Sequence, residues 1–386
     1  MRKVLIISYH FPPLGLAGSV RWCKFTKYLP RFGYHPIVLT VKPISYYFYD
    51  WELLKEIPQV EIYRSESLDP ARIFYLLGKR QISPRITKSS VRFHQLVFPD
   101  AKSPWIPFAY QMGTKIINQR RPDIILATAP PYSSLIVGAM LKKRFSLPLI
   151  LEFRDPWPTS IIAPGSLQQK LLKRLRKWLF QTADGIITVS EEVQKALGVK
   201  ADIINHGYDP EDYTKGAIKT DLFYAGMTYH CKDLLMRFIQ IISSLPRVRF
   251  SLAGSISSQI GNMIQRVSNC QYLGTLNHRR TMAMMRAASI LVYFYPERGN
   301  YLTSKFYEYL GAKRPILALS SQVSTFLFSI GPFRSGIISP LDRGAIQKAI
   351  ENLRRRRGLS DYRRFSFLNL TQNLVDIFNL ILSTKI

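Results

Sequence analysis

Cysteine is scarce in this chain and scattered. Its three copies, Cys23, Cys231 and Cys270, share no C-x-x-C spacing, so they offer neither a disulfide framework nor a zinc site and suit a reducing compartment. The six histidines are equally dispersed, with no H-x-x-x-H pair. Metal binding by imidazole or thiolate is therefore not expected. No stretch reaches ~18 uninterrupted apolar residues, which excludes an obvious membrane-spanning helix. The apolar run at the start, Val4 to Ile7, is shorter than the ~7–15 residues of a signal core, and His10 and two prolines follow it. It reads as a buried first strand. Carboxylates are also few, with 25 Asp and Glu against 54 Lys and Arg.

That imbalance leaves a formal charge of +29, a field that draws anions such as nucleic acid, acidic phospholipid or phosphorylated small molecules. A well-solvated basic surface is the plainer alternative. The basic residues recur at 79–92, 170–177 and 354–357 rather than in one tail, which points to a folded protein with a cationic face. With 386 residues, 47% of them hydrophobic and 20% charged, the chain is globular and long enough for two or three domains.

Short apolar runs alternate with helix-period stretches. Strands are expected over 4–9, 36–41, 123–128, 147–153, 185–190 and 202–205, with helices at 19–31, 133–144 and 167–181. The polar loop 209–220 interrupts the alternation, which then restarts with strands at 222–225, 248–253, 290–295 and 316–319. Strand–helix alternation implies parallel sheets covered on both faces. The expectation is an α/β protein of two doubly wound, Rossmann-like domains, 1–212 and 213–364, facing across a cleft. Segment 65–104 reads as an insertion, and a last helix, 365–386, is compatible with packing back on the first domain. Ligands of such sheets bind where strand carboxyl ends meet helix N-termini.

Four stretches at such positions carry chemistry. After the first strand, Gly15 and Gly18 precede a helix, a turn that either only closes tightly or lets backbone N–H groups approach an anion. LEFRDPWP places Arg154 and Asp155 at a strand's end, either as an ion pair fixing the loop or as groups that orient a polyol or hold a phosphate. DLFYAGMTYHCKDLL sets Gly226 and Thr228 after a strand and Lys232 at a helix start, where a lysine is either solvated or able to neutralise a leaving diphosphate. In YLTSKFYEYLGAKRPILA, a Thr303 cap would free the N–H groups of Ser304, Lys305 and Phe306. Lys305 and Glu308 share one face. That arrangement suits a phosphate at the helix head and a sugar diol on Glu308, and it equally describes a surface ion pair.

In this order, VLIISYHFPPLGLAGSVRWCKFTKYLPRFGYHPIVLT, EFRDPW, ADGIITVSEEVQKAL, INHGYDPEDY, FYAGMTY and SKFYEYLGAKRPILAL resemble the retaining sugar-nucleotide glycosyltransferases of family 4. The resemblance is closest to a subset with an R-D-P-W tract. It implies the GT-B fold and transfer of a hexose-type sugar from a nucleotide-diphosphate donor to an acceptor hydroxyl, with retention. It further implies a role in bacterial cell-surface polysaccharide or glycolipid synthesis. Glu308 matches the second glutamate of the family's Glu-x7-Glu motif, which holds the donor ribose. Gly15 and Gly18 match the glycine loop near the donor phosphates, with Gly226, Thr228, Thr303 and Ser304 completing the donor contacts. Lys232 matches the lysine of an Arg-x4-Lys pair whose arginine position is Met227, and Lys305 is the candidate replacement. The first glutamate of the motif is Asn300, which with Arg154 is expected to contact substrate. The family's first-domain histidine has no match, and Arg154 and Asp155 stand where its loop should be. Lys232, Lys305 and Asp155 are the expected catalytic groups. No D-x-D motif is present, so neither metal nor cofactor is expected. A non-catalytic GT-B scaffold binding a nucleotide sugar or a partner transferase is the alternative suggested by Asn300 and Met227.

SLQQKLLKRLRKWLFQ, 166–181, is basic and amphipathic. It suits a crossover helix, an anionic membrane surface, or both. A cytoplasmic protein at the inner face of the plasma membrane, meeting a lipid-linked acceptor, is the expected setting. The basic clusters lack an interleaved aromatic platform, so nucleic acid is not expected as a partner.

Overall fold

The computed structural model describes residues 1–82, 98–157, 166–214, 220–228, 231–295, 302–319, 336–339, 341–355 and 362–384. They fall into two compact units, the first formed by 1–205 and 367–386 and the second by 206–366.

In the first unit the chain runs β1 (Arg2–Ile7), α1 (Ala17–Tyr28), β2 (Tyr34–Val41), α2 (Glu52–Lys55), β3 (Glu61–Ser65), α3 (Pro70–Leu76), α4 (Ile106–Arg120), β4 (Ile124–Ala129) and α5 (Ser133–Phe145). It continues through β5 (Leu149–Phe153), α6 (Leu167–Thr182), β6 (Gly185–Thr188), α7 (Glu191–Leu197) and β7 (Asp202–Ile203). The second unit holds β8 (Leu222–Ala225), α8 (Lys232–Ser243), β9 (Phe250–Ala253), α9 (Ser258–Gln265), β10 (Cys270–Tyr272) and α10 (His278–Ala287). After these come β11 (Ile290–Phe294), α11 (Ser304–Ala312), β12 (Ile316–Leu319), β13 (Gly336–Ser339) and α12 (Arg343–Arg355). The chain then returns to the first unit as α13 (Phe367–Ser383).

The first sheet has the order β3-β2-β1-β4-β5-β6-β7 and the second β10-β9-β8-β11-β12-β13. Every pairing within these sheets is parallel. Central strands such as β1, β4 and β5 are apolar runs because helices cover both their faces. Val4 and Ile6 point to the side covered by α1 and α13, where Phe25 meets Phe367 edge to face at 5.3 Å. Leu5 and Ile7 point to the opposite side, into a core shared with α4, α5 and α6. In the second unit, α10 and α11 cover one face through Met282, Met285, Phe306 and Tyr309. There α8 and α12 cover the other through Leu235, Phe238, Ile346 and Ile350.

In each sheet the strand order reverses once, between β1 and β4 and between β8 and β11. At such a reversal the connecting helices leave to opposite faces and open a crevice at the strands' carboxyl ends. The basic stretch 166–181 forms α6, the crossover from β5 to β6, and seats Leu172 and Leu179 in the core while Lys170, Lys173, Arg174 and Lys177 stay exposed. Among the described residues no helix is long and apolar enough to cross a membrane.

Candidate functional site

The reversal in the second sheet gathers two of the stretches that the sequence singles out. After β8 the chain turns at Gly226, whose N–H donates to the Ala253 carbonyl at 3.0 Å. It is then tied down at Thr228, whose N–H and hydroxyl both reach the Ser255 carbonyl, at 3.2 and 3.1 Å. Thr228 is thus buried and engaged within the loop. Gly254 lies opposite, at φ +119°, and a Cβ there would sit 2.1 Å from the Gly226 carbonyl oxygen. Only glycine at that position lets the ends of β8 and β9 approach so closely. The sequence carries no signal for it, because the constraint comes from a neighbouring strand.

Lys232 opens α8 as its first residue, behind a Cys231 that provides no side-chain cap. A cation there faces the positive end of the helix dipole, and no carboxylate among the described residues pairs with it.

After β11, the neighbour of β8, α11 begins at Ser304. Thr303 takes the N-cap position with extended backbone, but its hydroxyl lies 3.2 Å from the Tyr293 Oη rather than over the helix. The Phe306 N–H closes onto the Thr303 carbonyl at 3.0 Å. The N–H groups of Ser304 and Lys305 therefore remain without a partner among the described residues, whereas that of Phe306, expected to be free, is used. One turn on, Lys305 Nζ and Glu308 Oε2 form an ion pair at 2.5 Å, with Glu308 almost fully buried.

Three tyrosines, Tyr208, Tyr213 and Tyr309, fix this helix. Tyr213 donates to the Glu308 carbonyl at 2.5 Å, Tyr309 donates to the Val292 carbonyl at 3.0 Å, and the Ala225 N–H donates to Tyr309 at 3.3 Å. Burial pushes the Tyr213 and Tyr309 hydroxyls well above their ordinary range, so both serve as neutral donors. Gly311 is required where Tyr208 and Tyr213 pack on the helix, since a Cβ there would lie 2.5 Å from the Tyr208 ring and from the Tyr213 hydroxyl. Asn300 and its expected contact lie outside the described residues.

The reversal in the first sheet is built from β1, β4 and β5. Arg154 follows β5 and spreads its guanidinium over three carbonyls: Ala129 at 3.2 Å, Pro130 at 2.9 Å and Gly18 at 3.1 Å. It thereby ties the head of α1 to the end of β4. Asp155 follows it, half-buried. Gly18 sits in the first turn of α1, and a Cβ there would press on Arg154 at 3.1 Å. Gly15 donates to the Phe48 carbonyl at 2.9 Å and abuts that ring. Between the two glycines, Leu16 has φ +73° and ψ 165°, a strained conformation for a side-chain-bearing residue of the kind found at ligand loops.

Beneath the loop, the fully buried Glu152 accepts from Arg21 Nε at 2.9 Å, from Trp22 Nε1 at 2.6 Å and from Thr128. Burial pushes this carboxyl up, but Arg21, then Arg154 and the two hydrogen bonds outweigh it and hold it below the usual range. His10, at the end of β1, packs against the rings of Tyr9 and Tyr46 with its Nδ1 buried and unpartnered. Burial, aided by Lys102 and Arg154, lowers its pKa to about 3, so the imidazole is neutral. The Ser19 and Ser134 hydroxyls, in the first turns of α1 and α5, are likewise buried without a partner. None of these three stands out along the sequence as a site residue, since a single His or Ser carries no spacing signal.

The sequence model of Glycosyltransferase Family 4 matches residues 18–212. No curated protein sequence matches the chain. Among solved structures, sucrose-phosphate synthase from Thermosynechococcus elongatus aligns over all of both chains with a TM-score of 0.68 at 14% identity. Anabaena HepE in complex with UDP and glucose aligns over 98% of this chain and all of its own, with a TM-score of 0.63 at 14% identity. A glycosyltransferase from Rickettsia africae covers 99% of this chain and 98% of its own, with a TM-score of 0.58 at 14% identity. The likeness is one of fold: two parallel-sheet, doubly wound domains of the GT-B class, as the sequence led one to expect.

Proposed function

Since the chain belongs to glycosyltransferase family 4, we propose that it moves a sugar from a nucleotide-diphosphate donor to an acceptor hydroxyl with retention. The reading is supported chiefly by the strand-order reversal in the second sheet. Gly226 and Lys232 follow β8 there, and Ser304, Lys305 and Glu308 follow the adjacent β11. In this reading the N–H groups at the head of α11, with Lys305 and Lys232, take the diphosphate, and Glu308 accepts hydrogen bonds from the ribose hydroxyls. Fixed amides and two cations then stabilise the leaving diphosphate without requiring a metal. A donor phosphate oxygen receives the acceptor's proton, so retention needs no protein nucleophile. In the first unit, Gly15 and Gly18 after β1 are read as the glycine loop that serves donor phosphate, Arg154 after β5 as a substrate contact and Asp155 as a catalytic group, and Asn300 is read as contacting substrate. HepE was solved with UDP and glucose, which makes a UDP-sugar the first donor to try. The proposed setting is polysaccharide or glycolipid synthesis on the cytoplasmic side of the plasma membrane, with a lipid-linked acceptor.

Incubating the protein with a panel of nucleotide sugars, and following donor loss and the product anomer by NMR, tests the reading. Turnover that collapses in Glu308→Ala and Lys305→Ala supports it. Failure to bind or consume any nucleotide sugar, or normal donor binding by both variants, overturns it. Binding without turnover would favour the scaffold reading that Met227 and Asn300 suggest.

A further inference from the structure

The large hydrophobic side chains exposed among the described residues are unevenly placed. Tyr47, Trp51, Leu68, Ile73, Phe74, Leu76 and Leu77 all lie between positions 47 and 77 of the first unit. Leu76 and Leu77, at the end of α3, are 63% and 76% exposed, and Trp51 is 60% exposed. Isolated exposed leucines need no explanation, but a concentration of this kind does.

The patch is rigidly held. Asp69 caps α3 by accepting from the Ala71 N–H at 3.0 Å, and it is itself buried under hydrogen bonds from Tyr9, Ser67 and Lys102. Arg72, also buried, pairs with Glu66 and donates to the Pro43 carbonyl at 2.8 Å. At the other end Gly78, at φ +85°, closes a Schellman turn in which the Lys79 N–H reaches the Phe74 carbonyl and the Gly78 N–H the Tyr75 carbonyl. Extended pairing of Tyr46 with Arg80 and Ile82 fixes the chain that leaves it. A buried polar anchor thus holds the apolar end of the helix outward.

Charge decides what covers it. Lys79 and Arg80 are exposed at the rim, with Lys79 over the Phe74 ring at 5.6 Å and Arg80 over the Tyr75 ring at 6.0 Å. From Pro70 to Ile82 the chain carries no carboxylate, and Glu66 beside the helix is already paired with Arg72 and Lys42. Apolar and aromatic side chains with two exposed cations at their rim match the interface of an anionic bilayer, where hydrocarbon lies just below phosphate. A second copy of this basic chain would bring like charge to the same rim.

We propose that the C-terminal end of α3, with Phe74, Leu76 and Leu77 inserted and Lys79 and Arg80 at the headgroups, docks the protein on anionic phospholipid. The inference does not rest on sugar transfer, because lipid binding can be measured with no donor present.

Sedimentation of the full chain with vesicles of phosphatidylglycerol and phosphatidylcholine in equal parts tests it, beside vesicles of phosphatidylcholine alone. The protein is expected on the mixed vesicles, with binding that weakens as salt is raised. Leu76→Ser/Leu77→Ser should weaken partitioning about tenfold or more. Lys79→Glu/Arg80→Glu should weaken it and flatten the salt dependence. Near-UV circular dichroism confirms the fold of each variant, and Lys173→Glu/Lys177→Glu on α6 should bind nearly as the parent does. Three results overturn the proposal: no binding to the mixed vesicles, equal binding by the Leu76/Leu77 variant, or a lipid-free dimer that this variant abolishes.

Discussion

Lys305 and Glu308 form an ion pair one turn into α11, and the two differ in exposure, 27% for the lysine side chain against 9% for the carboxylate. An i,i+3 pair of this kind contributes ~0.2–0.5 kcal/mol to a helix. Its position below two N–H groups that have no partner among the described residues has more consequence than its strength. Glu308→Gln and Lys305→Ala should each cost about 1 kcal/mol of stability or less, read as midpoints in urea. Donor affinity, measured by calorimetry with the nucleotide sugar that is turned over, should fall about tenfold or more in each. Loss of stability in proportion to loss of binding would mean the pair only braces the helix.

Lys232 gives a prediction of opposite sign for stability. It stands at the positive end of α8 with no carboxylate partner among the described residues. Removing its charge in Lys232→Met should leave stability unchanged or raise it by about 0.3–1 kcal/mol. Turnover should drop about a hundredfold if the ammonium stabilises the departing diphosphate. Thermal melts beside kcat separate the two effects, and a variant that turns over normally removes Lys232 from the site.

What the sequence revealed and what it hid have a common cause. Strands buried on both faces, such as β1, β4, β5, β8 and β11, read as apolar runs because helices cover them on both sides. The strands missing from the sequence reading, β3, β10 and β13, all lie at sheet edges. There β3 is the half-polar EIYRS, and Gln271 and Tyr272 of β10 are exposed. The same holds at the candidate site. Gly226, Lys232, Lys305 and Glu308 announce themselves by their place after a strand or at the head of a helix. Gly254, Glu152, His10 and the three tyrosines around α11 depend on partners distant in sequence, which spacing along one chain does not expose.

Gly254 tests that claim directly. Its φ of +119° and the 2.1 Å that would separate a Cβ from the Gly226 carbonyl leave a side chain no room. Gly254→Ala should therefore destabilise the protein by about 3 kcal/mol or more. Gly226→Ala meets only the tip of the Tyr224 side chain, at 2.9 Å, and should cost clearly less. Equal denaturant midpoints for the two variants would contradict the close approach of β8 and β9.

His10 makes stability depend on pH in a window that can be isolated. Burial, with Lys102 and Arg154 adding to it and Asp69 opposing, lowers its pKa to about 3, against ~6.5 in an unfolded chain. The folded state thus resists a proton that the unfolded state accepts. Its contribution is complete above about pH 6.5 and is lost as pH falls toward the folded value. The slope attributable to one such group is about 1.4 kcal/mol per pH unit. Asp69 and Glu152 are also held below the ordinary range, but their contributions fade only below about pH 4.3. Between pH 6.5 and 4.5 the histidine therefore acts without them. Urea unfolding across that interval should show the parent losing stability more steeply than His10→Gln, with the two curves converging as pH falls. Parallel curves would mean that the imidazole takes up its proton in the folded protein, and that its unpartnered nitrogen is open to water.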